Sequence, residues 1–257
     1  MPFCPVKEVD INYLEGNQKN HRGKKAIIYI HGAGGNAGRW EHQLEQLSDI
    51  LGDKYYSAAI DLPGHGQSGG EACGQVFLYR EWVREFLDAM EIEEVIVAGH
   101  SMGGAIALDF VMKYPQMVKG LILVGSADRF KVPQERLEAY KRGEYTWEWA
   151  RVGFASAAPT HLVDKLFEES QQSDPWTRYM DFLACSRYKG KNLENITSST
   201  LIVCGTEDIN TPPKLSKRLA ENIKGAELTM IENAAHQVML EQPEAVNRTI
   251  ASFLERL

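Results

Sequence analysis

Residues 93–110 read EEVIVAGHSMGGAIALDF, in which one apolar run leads through a serine between glycines into a second apolar run. The first run is rich in Val and Ile and predicts a buried strand, whereas the second predicts a helix. A plain turn from strand to helix needs no serine. The pattern Gly99-His100-Ser101-Met102-Gly103 therefore suggests that the serine has a catalytic role. We predict a sharp turn that holds the Ser101 hydroxyl clear of the backbone at a helix N-terminus, as a nucleophile requires.

Short apolar runs rich in β-branched residues recur along the chain. The others are AIIYIHG (26–32), YSAAIDLPG (56–64), GLILVGS (120–126), TLIVCGT (200–206) and AELTMIEN (226–233). Such runs are typical of strands that are buried on both faces, and helical patterns lie between them. This alternation predicts an α/β fold, with a mostly parallel sheet and helices on both of its faces.

Residues 128–193 break the alternation, because they contain helical patterns and many aromatic residues but no convincing strand. An insertion between the strands GLILVGS and TLIVCGT lies over the carboxyl ends of the strands, where open α/β sheets bind ligands. We therefore predict a core of residues 1–127 and 194–257, with residues 128–193 forming a helical lid. The lid residues expected to face a ligand are Trp147, Phe154, Trp176 and Tyr179.

An activated serine needs a base and a group that orients the base. At a strand-to-helix turn of this kind, the acid and then the histidine follow the serine along the chain. Asp208 comes after TLIVCG and His236 comes after the next strand, so both are expected beside Ser101 at the carboxyl ends of strands. His236 would take the serine proton, and Asp208 would fix the imidazole tautomer and stabilise the imidazolium.

Other residues compete for these roles. His161 also follows Ser101, but it lies in the predicted lid. Glu207 adjoins Asp208, but on an extended backbone it would point the other way. Asp128 comes directly after GLILVGSA and is the stronger alternative for the acid.

The loop after AIIYI reads HGAGGNAGRW, and its small residues let the backbone approach a substrate closely. A carbonyl attacked by a serine develops negative charge on its oxygen, which N–H donors stabilise. We predict that one donor is the N–H of Met102 and that the other is the N–H of Ala33, in preference to Gly34. This is not a phosphate loop, because no Gly-Lys-Ser/Thr follows and the spacing differs from Gly-x-Gly-x-x-Gly.

Composition limits the classes of partner. The 257 residues include 28 Lys and Arg against 35 Asp and Glu, a net charge of −7 that disfavours nucleic-acid binding. No apolar stretch is long enough to span a membrane, and the N-terminus lacks the pattern of a signal peptide. Four separated cysteines without a Cys-x-x-Cys pair are typical of reduced thiols and not of a zinc site. We expect a cytoplasmic monomer or homodimer that binds no metal.

Five motifs together resemble the α/β-hydrolase superfamily over essentially the whole chain. They are HGAGG (31–35), DLPGHGQS (61–68), GHSMGG (99–104), GTEDINTP (205–212) and AAHQVMLEQP (234–243). The resemblance implies an eight-stranded sheet, a triad of Ser101, Asp208 and His236, and a helical lid after the sixth strand. It also implies that DLPGHG is a structural loop, so that Asp61 and His65 belong to the scaffold.

Residues beside the motifs separate the subfamilies. Ser101 differs from the Asp nucleophile of haloalkane dehalogenases and epoxide hydrolases, and Ala105 differs from the Arg of similar synthases in menaquinone biosynthesis. Gln237 stands where hydrolases of C–C bonds in meta-cleavage products tend to have Trp. We therefore expect a serine carboxylesterase that needs no cofactor and takes a small-molecule ester with an apolar acyl group. The alternatives are a lactonase, a thioesterase, a C–C hydrolase, or a ligand-binding protein without catalysis.

Overall fold

A computed structural model describes residues 2–17 and 20–257 of the chain. Within these residues an eight-stranded sheet consists of β1 (Phe3–Val6), β2 (Val9–Glu15), β3 (Lys25–Ile30), β4 (Tyr55–Ile60), β5 (Val95–His100), β6 (Val118–Val124), β7 (Ser199–Gly205) and β8 (Glu227–Ile231). The strands lie in the order β1-β2-β4-β3-β5-β6-β7-β8. β2 pairs antiparallel with β1 and β4, and the neighbouring pairs from β4 to β8 are parallel. The predicted α/β class is confirmed.

Helices alternate with the strands and cover both faces of the sheet. They are α1 (Glu41–Leu51), α2 (Val76–Ala89), α3 (Met102–Lys113), α4 (Gln134–Lys141), α5 (Trp147–Arg151), α6 (Thr160–Gln172), α7 (Pro175–Arg187), α8 (Pro213–Asn222), α9 (Val238–Glu241) and α10 (Pro243–Leu254). Helices α4 to α7 are inserted between β6 and β7. In the part of the chain that the structure describes, no helix combines the length and the apolar character needed to cross a membrane.

The central strands bury both of their faces, because successive side chains of a strand point to opposite sides. On β5, Val95 and Val97 pack into an apolar cluster with α2 and α3, whereas Ile96 and Ala98 pack into another with α1 and α10. Burial of each Val or Ile side chain contributes about 1.5–3 kcal/mol. The carboxyl end of β5, where Ser101 follows, is therefore a firmly held point of the sheet.

Candidate active site

Ser101 lies between the end of β5 and the start of α3, in a left-handed backbone conformation with a φ of 52°. This conformation is unfavourable for a residue with a side chain, so it needs support from its surroundings. The Ser101 N–H donates to the Val124 carbonyl (3.0 Å), and the Ser126 hydroxyl donates to the Ser101 carbonyl (2.7 Å). Both partners lie at the end of β6 or directly after it, so the neighbouring strand holds the sharp turn.

Two glycines near the serine are required by the close approach of the backbone. A Cβ atom on Gly99 would lie 2.2 Å from the Gly103 carbonyl oxygen, and one on Gly103 would lie 2.2 Å from the Ile30 carbonyl oxygen. Non-bonded carbon contacts are favourable at about 3.5–4.0 Å, so a side chain at either position would push α3 away from the sheet. The glycines of the Gly-x-Ser-x-Gly pattern thus set the position of the serine hydroxyl.

Ser101, His236 and Asp208 come together beyond the carboxyl ends of β5, β8 and β7. His236 Nε2 lies 3.0 Å from the Ser101 hydroxyl oxygen, and His236 Nδ1 lies 3.0 Å from Asp208 Oδ2. An ionised carboxylate can only accept hydrogen bonds, so it favours the tautomer with the proton on Nδ1. The lone pair of Nε2 then faces the serine hydroxyl, which is the geometry that a general base needs.

The Asp208 carboxylate is buried, with 1% of the residue exposed, and the turn after β7 holds it. The N–H groups of Asn210 and Thr211 donate to Oδ1 at 2.9 and 2.8 Å, and the Thr211 hydroxyl lies 2.7 Å from Oδ2. Burial by itself would raise the pKa of Asp208, but His236 and these hydrogen bonds outweigh burial and hold the pKa below its ordinary value. Asp208 is therefore an ionised acceptor in a fixed position.

The competing residues are engaged elsewhere. Asp128 forms an ion pair at 2.8 Å with an arginine of α8, and Glu207 accepts hydrogen bonds from a serine of the inserted segment. His161 is exposed on α6. Of the two aspartates that the sequence left open, Asp208 is the one in contact with His236.

Two backbone N–H groups beside Ser101 are suited to bind an oxyanion. Within the described residues, neither the Ala33 N–H nor the Met102 N–H has a hydrogen-bond acceptor. Met102 is the first residue of α3, and the N–H groups in the first turn of a helix have no partner within the helix. The Gly34 N–H, by contrast, donates to Asp181 Oδ2 at 2.7 Å. This geometry favours Ala33 over Gly34 as the second donor.

Comparison with known proteins identifies the family of this chain. A sequence profile of the Alpha/beta hydrolase family matches residues 27–249. The chain belongs to this family. An (E)-2-((N-methylformamido)methylene)succinate hydrolase from Acinetobacter baylyi is 29% identical to it over 240 residues, which cover 89% of this chain and 90% of the relative.

Solved structures have the same fold as this alpha/beta hydrolase. A thermophilic esterase superposes with a TM-score of 0.85 and 29% sequence identity, over 99% of this chain and 97% of the esterase. An enol-lactonase from Burkholderia xenovorans superposes with a TM-score of 0.87 and 19% identity, over 99% of this chain and 100% of the lactonase. The family and these relatives together support a hydrolase that acts on small molecules.

The Ser101 hydroxyl of this alpha/beta hydrolase borders a cavity of about 280 Å³. One side of the cavity is formed by the loop of residues 32–35, by Ser101 and by His236, and the other by the inserted helices. Aromatic side chains of the inserted region line it, namely Phe130, Tyr140, Tyr145, Trp149 and Phe182. A cavity of this size with a few polar groups among aromatic walls suits a small-molecule substrate.

The four aromatic residues predicted to face a ligand do not line this cavity. Trp147 donates its indole N–H to Asp164 at 2.7 Å and packs, with Phe154, into a small cluster within the inserted helices. The Trp176 ring lies against the Tyr179 ring, with centres 5.0 Å apart and planes tilted by 42°, and 51% of Trp176 is exposed. The prediction that these four residues face the ligand is therefore wrong for this cavity, which is lined by other aromatic residues of the inserted region.

Helix phase explains this difference, because residues four apart share a face of a helix and residues two apart do not. On α5, Trp149 lines the cavity while Trp147, two residues earlier, points elsewhere. On α7, Arg178 and Phe182 are four residues apart and both line the cavity. The spacing of Arg178 and Phe182 is a signal that the sequence contains, although it does not reveal which face of α7 meets the site.

The positive charge of the cavity was also not predicted from the sequence. Four cationic side chains line it, namely Arg39, Lys131, Arg136 and Arg178. They add an anion-binding character to a cavity for which an apolar acyl group was expected. Among the described residues, no three His, Cys, Asp or Glu side chains come together in the way that a metal site requires.

Proposed function

We propose that this alpha/beta hydrolase is a serine hydrolase that cleaves carboxylic esters through an acyl-enzyme intermediate. The observation that carries the proposal is the continuous relay of Ser101, His236 and Asp208, with 3.0 Å at each step, beside a cavity for a small molecule. The identity of 29% to an esterase of the same fold supports the proposal. Residues 128–193 would act as the lid over this site.

In the proposed reaction, Ser101 Oγ attacks the ester carbonyl carbon while His236 Nε2 takes the hydroxyl proton. The carbonyl oxygen becomes an oxyanion and accepts hydrogen bonds from the N–H groups of Ala33 and Met102. The C–O bond to the alcohol then breaks, and His236 gives its proton to the leaving alkoxide. Water, deprotonated by His236, attacks the acyl carbon. The bond from this carbon to Ser101 Oγ then breaks, and His236 returns its proton to Oγ as the carboxylic acid leaves.

The electrostatics of the site favour this sequence of steps. As His236 gains a proton, the ionised Asp208 at 3.0 Å stabilises the imidazolium without having to move. The lowered pKa of Asp208 keeps the carboxylate charged at neutral pH. The oxyanion forms at the N-terminus of α3, where the helix dipole adds a further favourable contribution.

Opening of a lactone would use the same residues, since a lactone is a cyclic ester. The likeness to an enol-lactonase of the same fold is the reason to retain lactone hydrolysis as an alternative. Thioester hydrolysis would follow the same steps with a thiolate as the leaving group. Gln237, directly after His236, weighs against C–C bond hydrolysis, because hydrolases of C–C bonds in meta-cleavage products tend to have Trp at this position. A binding protein without catalysis would have no use for the relay.

The experiment is hydrolysis of a series of p-nitrophenyl esters of increasing acyl length by the wild type and by Ser101→Ala. We expect an optimum in acyl length for the wild type and a loss of kcat of about 10⁴-fold or more in the variant. His236→Ala should lose as much, whereas the matched control His161→Ala, at an exposed position on α6, should keep its activity. Ester hydrolysis that persists in Ser101→Ala at a tenth of the wild-type rate would overturn the proposed nucleophile.

A further inference from the structure

The walls of the cavity carry an unbalanced positive charge. Arg39, Lys131, Arg136 and Arg178 line it, and within the described residues no Asp or Glu side chain does so. The positive charge of Arg39 is balanced by Glu169, which pairs with the Arg39 guanidinium at 2.8 Å. No carboxylate lies within 4.0 Å of Arg136 or Arg178 in the described part of the chain. The guanidinium groups of Arg136 and Arg178 therefore line the cavity with no carboxylate in direct contact, although the charge of Asp181 on α7 acts on Arg178 from a greater distance.

Arg178 is the more deeply placed of these two, with 4% of the residue exposed. Its guanidinium carbon lies 4.4 Å from the centre of the Tyr145 ring, and Nη2 donates to the Ser170 carbonyl. A guanidinium carries five N–H donors, so a single carbonyl leaves most of its hydrogen-bonding capacity unused. A buried cation without a directly paired anion is costly, and burial lowers the pKa of Arg178 although the nearby Asp181 carboxylate opposes this shift. Such a group is typical of a site that is completed by a ligand.

Arg136 approaches the same cavity from α4. Its guanidinium carbon lies 3.7 Å from the centre of the Trp149 ring, a cation–π contact that holds the side chain against the wall. Planar guanidinium groups bind carboxylates through paired N–H donors, which gives both affinity and orientation. Arg136 and Arg178 thus supply donors from two inserted helices to one cavity.

Arg178 also lies close to the reacting end of the cavity. Its Cγ atom is 3.6 Å from the position that a Cβ of Gly34 would occupy, and Gly34 adjoins the proposed oxyanion donor Ala33. A small substrate with its carbonyl at Ser101 can therefore place a second polar group against Arg178. A substrate with only an apolar acyl chain would leave this buried cation without a carboxylate in direct contact.

We infer that the substrate of this hydrolase carries a carboxylate besides the bond that is cleaved, and that Arg178, assisted by Arg136, binds that carboxylate. This inference rests on the proposed ester hydrolysis and specifies its substrate class: half-esters, or cyclic esters, of small dicarboxylic or related acids. Arg178 is then the residue that determines specificity, whereas the relay of Ser101 and His236 is indifferent to the charge of the acyl group.

The test compares monomethyl glutarate with methyl pentanoate, which has the same five-carbon acyl chain without the carboxylate, by titration of released acid. We expect the wild type to favour the charged ester in kcat/KM by about 10-fold or more, as a charged hydrogen bond of about 1.5–3 kcal/mol implies. Arg178→Gln should raise KM for monomethyl glutarate by about 10- to 100-fold with little change in kcat. The preference for the charged ester, which is the ratio of the two kcat/KM values, should therefore fall in Arg178→Gln to about 1.

Arg178→Lys keeps the charge and should recover part of the loss, and Arg142→Gln is the matched control. Arg142 is exposed at the end of α4 and pairs with Glu144 outside the cavity. If Arg178 only supported the local fold through Ser170 and Tyr145, then Arg178→Gln would reduce both esters by the same factor. That result, or the absence of any preference in the wild type, would overturn the inference.

Calorimetry separates this inference from the proposed reaction, because it needs no turnover. Glutarate should bind to the Ser101→Ala variant, and this binding should be lost in the double variant that carries both Ser101→Ala and Arg178→Gln. If glutarate fails to bind while methyl pentanoate is hydrolysed by the wild type, the inference is wrong and the proposed function stands. If glutarate binds but neither ester is hydrolysed, the inference holds and ester hydrolysis is the part that fails. Inorganic phosphate that binds as tightly as glutarate would contradict the assignment to a carboxylate.

Discussion

Asp181 joins the inserted helices to the loop that carries the proposed oxyanion donor, and its replacement provides a sharp test of that connection. It lies on α7 with none of its surface exposed. Its Oδ2 accepts from the Gly34 N–H and from His65 Nε2, each at 2.7 Å, and its Oδ1 accepts from the Tyr79 hydroxyl. Asp181→Ala would leave two buried donors, on His65 and Tyr79, and the half-buried Gly34 N–H without an acceptor.

The size of the effect follows from these contacts. A buried donor that loses its acceptor costs about 1–3 kcal/mol, and removal of one partner from a buried ion pair costs about 3–5 kcal/mol. Because water can enter the space that Asp181→Ala leaves and restore some hydrogen bonds, we expect the free energy of unfolding to fall by roughly 3–5 kcal/mol. The loss should be seen as a lower urea midpoint with an unchanged slope.

Asp181→Asn is the matched control, because its shape is the same. The amide oxygen can keep the contacts with Gly34 and His65, and the amide N–H₂ can donate to the Tyr79 oxygen, which also accepts hydrogen bonds. The loss of unfolding free energy should therefore be smaller, about 1 kcal/mol. An equal loss for both variants would refute the view that the unsatisfied donors are the source of the cost.

The charge of Asp181 gives the two variants a pH signature. Burial would lower the pKa of His65, but the Asp181 carboxylate outweighs burial and raises it. A histidine with a raised folded-state pKa stabilises the fold at pH values below about 6.5 and loses this contribution as pH rises through the folded-state pKa. The loss in Asp181→Asn should accordingly be larger at pH 6 than at pH 8.

Asp181→Ala should affect catalysis by changing the loop of residues 32–35. The Gly34 N–H is anchored by Asp181, and Ala33 is its neighbour, so Asp181→Ala should loosen the oxyanion donor. Complete loss of one such donor costs about 10²–10³ in kcat, which sets the upper limit. We expect kcat for methyl pentanoate to fall by about 10-fold or more with KM nearly unchanged, and Asp181→Asn to stay near the wild type. A wild-type kcat in folded Asp181→Ala would refute the role of this anchor.

Three further predictions concern the turn, the acid and a buried histidine. Gly103→Ala would bring a Cβ to 2.2 Å from the Ile30 carbonyl oxygen and should cost about 3 kcal/mol or more in a urea titration; a cost under about 1 kcal/mol would contradict the packing. Asp208→Asn should lower kcat by about 10⁴-fold and Asp128→Asn far less, and the reverse order would mean that Asp128 is the acid. Burial lowers the pKa of His100 to about 3, so this group stabilises the fold above about pH 6.5 and loses its contribution as pH falls toward 3. In urea titrations at pH 7 and pH 4.5, His100→Gln should therefore lose less stability on acidification than the wild type, and an equal loss would count against a buried neutral imidazole.

Much of the fold and the relay could be predicted from the sequence, because the signals are local. Each central strand is a short apolar run, and Ser101, Asp208 and His236 each follow such a run by a few residues. Parallel strands bring their carboxyl ends to one edge of the sheet, so placement after a strand is enough to predict proximity. Strands β1 and β2 gave no such run, since β1 buries only alternate residues and β2 lies near the edge of the sheet.

The walls of the cavity could not be predicted in the same way. Whether Trp147 or Trp149 faces the site depends on the rotation of α5 about its axis, which packing against other helices determines. A lone arginine such as Arg178 in a helix is most often solvated, so its burial against Tyr145 is a tertiary property without a sequence signature. The arrangement of Ser101, His236 and Asp208 was therefore predicted from the sequence, whereas the residues that line the cavity were not.

The contact between Ser101 and His236 spans 135 positions of the chain, and it depends on every strand pairing from β5 to β8. Contacts of such long sequence separation form late and slowly when a chain folds, because the closure of long loops comes before them. Far-ultraviolet dichroism can recover while β8 is still unpaired, but hydrolysis cannot. In refolding from urea, the recovery of ester hydrolysis thus reports when strands β5 to β8 have paired. It should be slower than the recovery of the far-ultraviolet dichroism signal, which reports helix formation.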